Sequence, residues 1–409
     1  MRQLAALFVS MCILGIGNGL VTSLLGVRST IEDFSSLAIG IALAGYYAGF
    51  LVGGRTIGAM LAHVGHVRVF AGLASLASAA ALLHALYLNP VAWLVLRLLS
   101  GFCMSGIFIT AESWLNEVAD NRNRGRVLSI YMVMGMGGAT FGQLLIGVDN
   151  PGGFGLFILV SVLFSLSLVP LSLTRTNPPR IRQRHKADIA AVYRAAPLAI
   201  VGATVAGLTH SSVLTMGPVY ATQVGLTNAQ VGWMMGALLF GAVANTIPLG
   251  RLSDRFPRRR VILVVAFGST LMAALMSNAT AGPELLTAAM MIYGAVTFPV
   301  YALSMSHMND LLDVDHLIPG ATALVTFRGA GAIAGPVLTA GMMTIMGPDG
   351  MWLALAVFHG LFVIYIIRRF LARPHIPLAL QRVFAPIPVR SSALVANLIH
   401  RRRRRPRED

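Results

Sequence analysis

This sequence predicts an all-α integral membrane protein of twelve transmembrane helices, arranged as two six-helix lobes related by a pseudo-twofold axis. Three observations predict it. Of 409 residues, 56% are apolar and 11% charged, with a mean hydropathy of +0.74; a soluble domain is about 45–50% apolar and about 25% charged. The apolar residues fall into twelve runs of roughly the 20 residues that a membrane-crossing helix needs. The second six runs echo the first at an offset of 192 or 193 positions: Ile39-Gly40 lands on Val231-Gly232, Gly58 on Gly250, Gly101 on Gly294 and Gly142 on Gly335.

The elements follow in order. The run at 4–26 comes after Arg2 and lacks a small-x-small cleavage site; it is too long for a cleaved leader and is read as the first span. The runs at 37–61 and 67–88 flank GAMLAHVGHVR, Gly58 to Arg68. Spans at 91–117, 127–148 and 154–173 complete the first lobe, residues 1–173. Residues 174–196 contain NPPRIRQRHK, a basic, proline-interrupted linker. The second lobe, 197–370, holds spans at 197–219, 229–250, 261–279, 284–308, 321–346 and 351–370. Its hairpin between the second and third of these reads GRLSDRFPRRR, Gly250 to Arg260. Residues 371–409 form a basic tail with five arginines at 401–405, expected to be disordered and to touch anionic lipid.

Twelve spans put both termini on one side, and the basic residues say which. With the N-terminus cytoplasmic, 27 of the 31 Lys and Arg fall in cytoplasmic loops, tails or their membrane edges; Arg28 lies outside, and Arg55, Arg97 and Arg328 lie within spans. The reverse orientation violates the positive-inside rule. The net charge of +16 is thereby explained by loop retention and anionic lipid, not by nucleic acid. Cys12 and Cys103 sit in apolar runs and read as core-filling residues. No metal or cofactor motif is present, and neither is a phosphate-binding loop for ATP-driven pumping.

Charges inside a membrane are costly and point to function by default. Glu112 is the one intramembrane acid. Arg97, Gly101, Ser105, Phe108 and Glu112 follow one another at steps of three and four, so they share a helix face. Arg97 and Glu112 are roughly 22 Å apart along it, too far to pair. Arg55 is the candidate partner for Glu112, with a structural ion pair and a proton-carrying role both open. Arg328, about two turns into its span, could reach back to the basic surface.

Several of these residues carry a resemblance. GRLSDRFPRRR is similar to the loop signature of the major facilitator superfamily at Gly250, Leu252, Asp254, Arg255, Arg258 and Arg259, with Pro257 in place of the second glycine. Arg97-x-x-x-Gly101 resembles the family's second signature. Gly331-x-x-x-Gly335-Pro336 is usual for its eleventh helix, and ESWLNEVADNRNRGR resembles the bacterial YcaD-like branch. The resemblance spans residues 4 to about 370. It implies secondary transport of a small organic solute by alternating access across a bacterial inner membrane, by a monomer with no cofactor. It also implies a proton-coupling role for Arg97, with anion binding as the alternative.

By the same resemblance, helices 1, 7 and 10 line the pathway, which makes Asn18, Thr22, His210, Tyr293, Thr297, Tyr301 and Ser304 cavity candidates, joined by Ser105 from the shared face of helix 4; each has interhelical hydrogen bonding as its plainer reading. The cytoplasmic gate comprises Gly58, Gly65, Arg68, Arg124, Arg126 and the second-copy residues Gly250, Asp254, Arg255, Arg258 and Arg259. Asp254 is expected to meet the loop of Arg122, Arg124 and Arg126, while Asp310, Asp313 and Asp315 face His63, His66 and Arg68 in a contact that would loosen as pH rises. The first copy carries Ala62 where the family has Asp. Gln143 follows Gly142 where exporters of the family often carry proline, so antiport is not supported. A proton-coupled permease is the leading expectation. An uncoupled facilitator and, from another class, a transport-dead membrane sensor are the alternatives.

Overall fold

The computed structural model describes residues 2–118, 124–173, 189–277, 282–313, 316–372, 381–382 and 384. Among them, twelve helices are long and apolar enough to cross a membrane. They are α1 (Leu4–Ile31), α2 (Ser36–Val64), α3 (His66–Leu86), α4 (Pro90–Leu115), α5 (Arg126–Gly147), α6 (Gly155–Ser172), α7 (Pro197–Gln223), α8 (Asn228–Arg255), α9 (Arg258–Met276), α10 (Pro283–Leu311), α11 (Pro319–Met346) and α12 (Gly350–Leu371). Large apolar side chains such as Ile345 and Leu371 stand more than 80% exposed on the outside, which suits a hydrocarbon environment and not water. Central α7 is the most enclosed, with 83% of its apolar window buried.

Local chemistry sets the helix ends. The Ser35 hydroxyl accepts from the Ala38 amide at 3.3 Å to start α2, and Thr227 with Gln230 forms a reciprocal capping box at α8. Helix α10 breaks at Phe298, just before Pro299. Pro299 cannot donate to the Ala295 carbonyl four residues back, and the Asn245 side chain of α8 takes that carbonyl at 2.9 Å instead. Helix α1 runs to Ile31, past the predicted 26, because its last turn is stabilised. Arg28, expected in an outer loop, is 8% exposed, pairs with Glu32 at 2.7 Å and donates to the Pro151 carbonyl at 3.2 Å. A cation in that turn also favours the negative end of the helix dipole.

The sequence repeat reappears as a repeat of contacts. A Cβ on Gly101 of α4 would strike the Tyr46 carbonyl of α2; one on Gly294 of α10 would strike the Leu238 carbonyl of α8. Gly142 meets the Ile16 carbonyl where Gly335 meets that of Leu208, Gly138 meets Cys12 where Gly331 meets Thr204, and Gly49 meets Leu98 where Gly241 meets Met291. Each glycine and each partner moves by 192 or 193 positions between the lobes. The lobes therefore share one internal packing scheme, in which glycine lets helix backbones approach closely.

Between the lobes, contacts gather at the end opposite the basic loops. Gly40 of α2 lies against Pro336 and Ala340 of α11, and, as the repeat requires, Gly232 of α8 lies against Gln143 and Ile146 at the end of α5. Gly26 meets Pro218, and the Gln223 side chain donates to the Ser36 hydroxyl at 3.3 Å. The hairpins at the basic end turn in two different ways at equivalent positions. Gly65 turns at φ 90° and ψ 157°, a conformation open to glycine, whereas Pro257 caps α9 with φ −53°.

Candidate functional site

A cavity of about 140 Å³ lies between the lobes. Helix α2 gives it Tyr46, Tyr47, Phe50 and Arg55; α4 gives Ser105 and Ile109. From the other lobe, α7 gives His210 and α11 gives Thr322, Thr326 and Arg328. A second cavity of about 70 Å³ lies beside it, lined by Asn18, Phe108, Tyr131 and mostly apolar neighbours from α1 and α5. Leu214 borders both. Two aromatic pairs stand near the boundary: Phe50 with Phe108 at 6.3 Å, and the His210 ring stacked on Phe298 at 4.3 Å with planes 6° apart.

The charged groups sort around these spaces. Arg97 is 4% exposed, its guanidinium 4.4 Å from the centre of the Tyr46 ring. Arg328 lies over the Tyr301 ring at 4.9 Å and lines the larger cavity; it does not reach back to the surface as expected, because ring stacking holds its charge inside the bundle. Glu112 is fully buried and accepts a hydrogen bond from Tyr131 of α5, a residue that lines the smaller cavity. Arg55, the candidate partner of Glu112, lines the larger one. Tyr131, which no pattern in the sequence singled out, is the residue that ties the acid to α5.

Of the expected cavity residues, Ser105 and His210 line the larger space and Asn18 the smaller. Thr22 donates to the Asn18 carbonyl at 2.7 Å, one turn back on its own helix. The α10 stripe turns into the second lobe and lines neither cavity. The Tyr293 hydroxyl meets His359 of α12 at 3.1 Å, Thr297 donates to Ser269 of α9 at 3.1 Å, Tyr301 carries Arg328, and Ser304 packs beside Gly202 of α7. His210 Nε2 faces the Thr297 carbonyl at 3.1 Å, and since a carbonyl only accepts, that nitrogen carries the proton.

At the basic end Asp254 and Asp310 find partners within the second lobe and in the tail. Asp310 pairs with Arg258 at 3.3 Å and accepts from the Arg382 amide at 2.8 Å. Asp254 pairs with Arg258 at 3.5 Å and accepts from the Phe384 amide at 2.8 Å. Arg258, 1% exposed, also donates to the Arg382 carbonyl at 2.5 Å. His66 meets the Ser113 hydroxyl at 3.0 Å and the edge of Trp114 within its own lobe. The reason is geometric: the lobes touch at the far end, so acids at this end are satisfied within the second lobe and by the tail. Gly58 has open space around it, and Arg68, Arg126 and Arg255 are exposed. Arg259 is 8% exposed. Arg122, Asp315 and the Arg124 side chain lie outside the described residues.

The described tail residues do not trail into lipid. The Phe384 ring covers Gly250, where a Cβ would overlap it, and the Arg382 guanidinium donates to the Leu312 carbonyl at 3.1 Å. Phe384→Ala should therefore release this segment. In limited trypsin digestion, the variant should be cut after Arg382 about three- to tenfold faster than wild type, the ratio set by losing about half of the roughly 1.5–3 kcal/mol that full aromatic burial contributes, since Phe384 is partly buried.

A family model described as Major Facilitator Superfamily matches residues 7–227 and 199–405 of the chain. The chain is 26% identical over 370 residues to the uncharacterized MFS-type transporter YcaD of Escherichia fergusonii, covering 90% of this chain and 96% of that one. It is 25% identical over 373 residues to the protein of the same name from Escherichia coli strain E24377A, with the same coverage. Among solved structures, the nucleoside transporter NupG superposes with a TM-score of 0.72 at 14% identity, covering 90% of this chain and 98% of that one. A bacterial homologue of the lysosomal transporter Spinster, inward-facing and occupied, superposes at 0.73 and 17%, covering 94% and 98%. A D-xylose–proton symporter does so at 0.67 and 14%, covering 89% and 95%.

Proposed function

This chain belongs to the major facilitator superfamily, a family of multi-pass membrane solute transporters, and from that premise we propose that it moves a small organic solute across the bacterial inner membrane by proton-coupled alternating access. The observation that carries the reading is the cavity between the lobes, walled by α2 and α4 on one side and α7 and α11 on the other, with the lobes in contact at the end away from the basic loops. With those loops cytoplasmic by the positive-inside rule, this is the inward-facing state. Rocking about the small-residue contacts of α2 with α11 and of α5 with α8 gives the opposite state.

Glu112 is the proton carrier in this reading. It is fully buried, and its carboxyl is hydrogen-bonded by Tyr131, which lines the smaller cavity. Proteoliposomes loaded with a pH-sensitive dye test this with a panel of nucleosides, sugars, carboxylates and amines. Wild type should show solute-dependent proton movement. Glu112→Gln should abolish it, by at least about a hundredfold in rate, while retaining solute exchange at equal concentration on both sides. Solute exchange without proton movement in wild type would favour the uncoupled facilitator, and binding without exchange a sensor.

A further inference from the structure

We propose that the smaller cavity seats the apolar body of the solute and that Asn18 recognises one uncharged amide group there, a carbonyl beside an N–H. The solute is then a neutral, largely apolar ring compound carrying a carboxamide or a lactam. This inference rests on the transport reading above and names its substrate class.

The smaller cavity repeats the larger one about the pseudo-twofold axis. Its wall comes from α1, α4 and α5 of the first lobe and from α7, α8 and α10 of the second, so it too lies between the lobes. At an offset of 192 positions Asn18 stands for His210, and at 193 Ala139 stands for Ala332, each lining its own cavity. Where the two copies differ, the smaller one loses polarity. At the same offset of 193, Phe298 stands for Ser105, Leu239 for Tyr46 and Gly135 for Arg328. Leu214 borders both spaces, so a ring seated in the smaller one can extend past it into the larger.

The wall sets the chemistry of the ligand. Met11, Met132 and Met136 supply flexible thioethers, which adapt to flat bodies and make favourable contacts with aromatic edges. Among the described residues, no Asp, Glu, Lys, Arg or His lines this cavity, so a charged group lodged in it would lose its water without gaining a partner on the wall. Asn18 is the polar exception. It is 4% exposed, and its backbone carbonyl is taken by Thr22. Its carboxamide has no hydrogen-bond partner among the described residues, whereas His210, its counterpart, is engaged by the Thr297 carbonyl. A carboxamide offers a donor and an acceptor side by side. A second amide answers both at once, as the donor–acceptor edge of adenine does when Asn reads it. Water is a poor substitute, because it needs two to four polar partners, and the other polar side chain on the wall, Tyr131, already donates to Glu112.

The test is a matched series on one ring: benzamide, its ester methyl benzoate, benzoate and benzylamine, added to the purified full-length protein while its thermal unfolding is followed. Benzamide should raise the unfolding temperature the most. Methyl benzoate lacks the N–H, and the other two are charged, so each should raise it less. Asn18→Leu should weaken benzamide binding roughly tenfold, the loss expected for two neutral hydrogen bonds, and leave methyl benzoate binding unweakened. Gly135→Leu fills the cavity without touching Asn18, since a Cβ there meets nothing within 4 Å; it should abolish benzamide binding, and it carries the test where Asn18→Leu fails to fold. No stabilisation by benzamide, stabilisation by benzoate or benzylamine equal to it, or benzamide binding unchanged in either folded variant would each overturn the proposal. Flux in proteoliposomes separates the two readings. Benzamide that binds through Asn18 but is not exchanged sinks the transport function and leaves the amide site, whereas exchange of a charged member alone leaves transport and sinks the neutral solute.

Discussion

Asp310→Ala should destabilise the protein by about 3–5 kcal/mol, because it strands the guanidinium of Arg258 in a buried position. The side chains of Asp310 and Arg258 are 0% and 1% exposed and 3.3 Å apart, and Asp254, the second acid on Arg258, is farther away and 30% exposed. The loss should extend to the tail, whose Arg382 amide Asp310 accepts. Thermal unfolding in detergent measures the main effect, and protease cleavage after Arg382 the accompanying release. Arg258→Met combined with Asp310→Leu should recover most of the stability, since it removes both charges from the same space. A double variant as unstable as the single one would show that packing, and not the stranded charge, sets the cost.

Gly101→Leu and Gly294→Leu should each prevent accumulation of folded protein, with costs of about 3 kcal/mol or more. In both, the new side chain meets a backbone carbonyl of the facing helix, Tyr46 on α2 or Leu238 on α8, and a helix backbone cannot step aside by itself. Gly58 and Gly72 supply the control. A Cβ at either meets nothing within 4 Å, so Gly→Ala there should change stability by no more than about 1 kcal/mol, even with the lower backbone entropy of the unfolded chain counted. Size-exclusion profiles of all four variants compare the two classes directly. Equal yields of the leucine and alanine variants would contradict the close-packed crossings and the internal repeat they display.

The parts of the fold that were legible in the sequence are those that hydropathy and spacing encode. The spans were, and so was the offset that pairs Gly101 with Gly294 and Gly142 with Gly335. The extension of α1 through Arg28 is not legible, because one of the contacts that holds it involves Pro151, more than a hundred residues away. The α10 stripe of Tyr293, Thr297, Tyr301 and Ser304 was visible as a polar face, but a helix face does not state what it faces. Here it faces α7, α9, α11 and α12 of its own lobe. The stretch GRLSDRFPRRR reads as a gate through its resemblance to the family's loop signature, yet its partners in this conformation include Arg382 and Phe384, and no local periodicity marks them.

What the sequence determined by itself is the class of molecule: twelve apolar spans, two repeated lobes, and a few charges retained in the membrane at a cost that only function or pairing offsets. The tertiary structure decided which of those charges share a compartment. It placed Arg55 and Arg328 on the wall of one cavity and Tyr131 against Glu112, and it gave Asp254 and Asp310 to Arg258 and the tail. The division has a physical cause. Transfer out of water depends on each segment's own composition, which a sequence carries residue by residue, whereas an ion pair or a cavity wall depends on distances between segments that are fixed only when the helices pack.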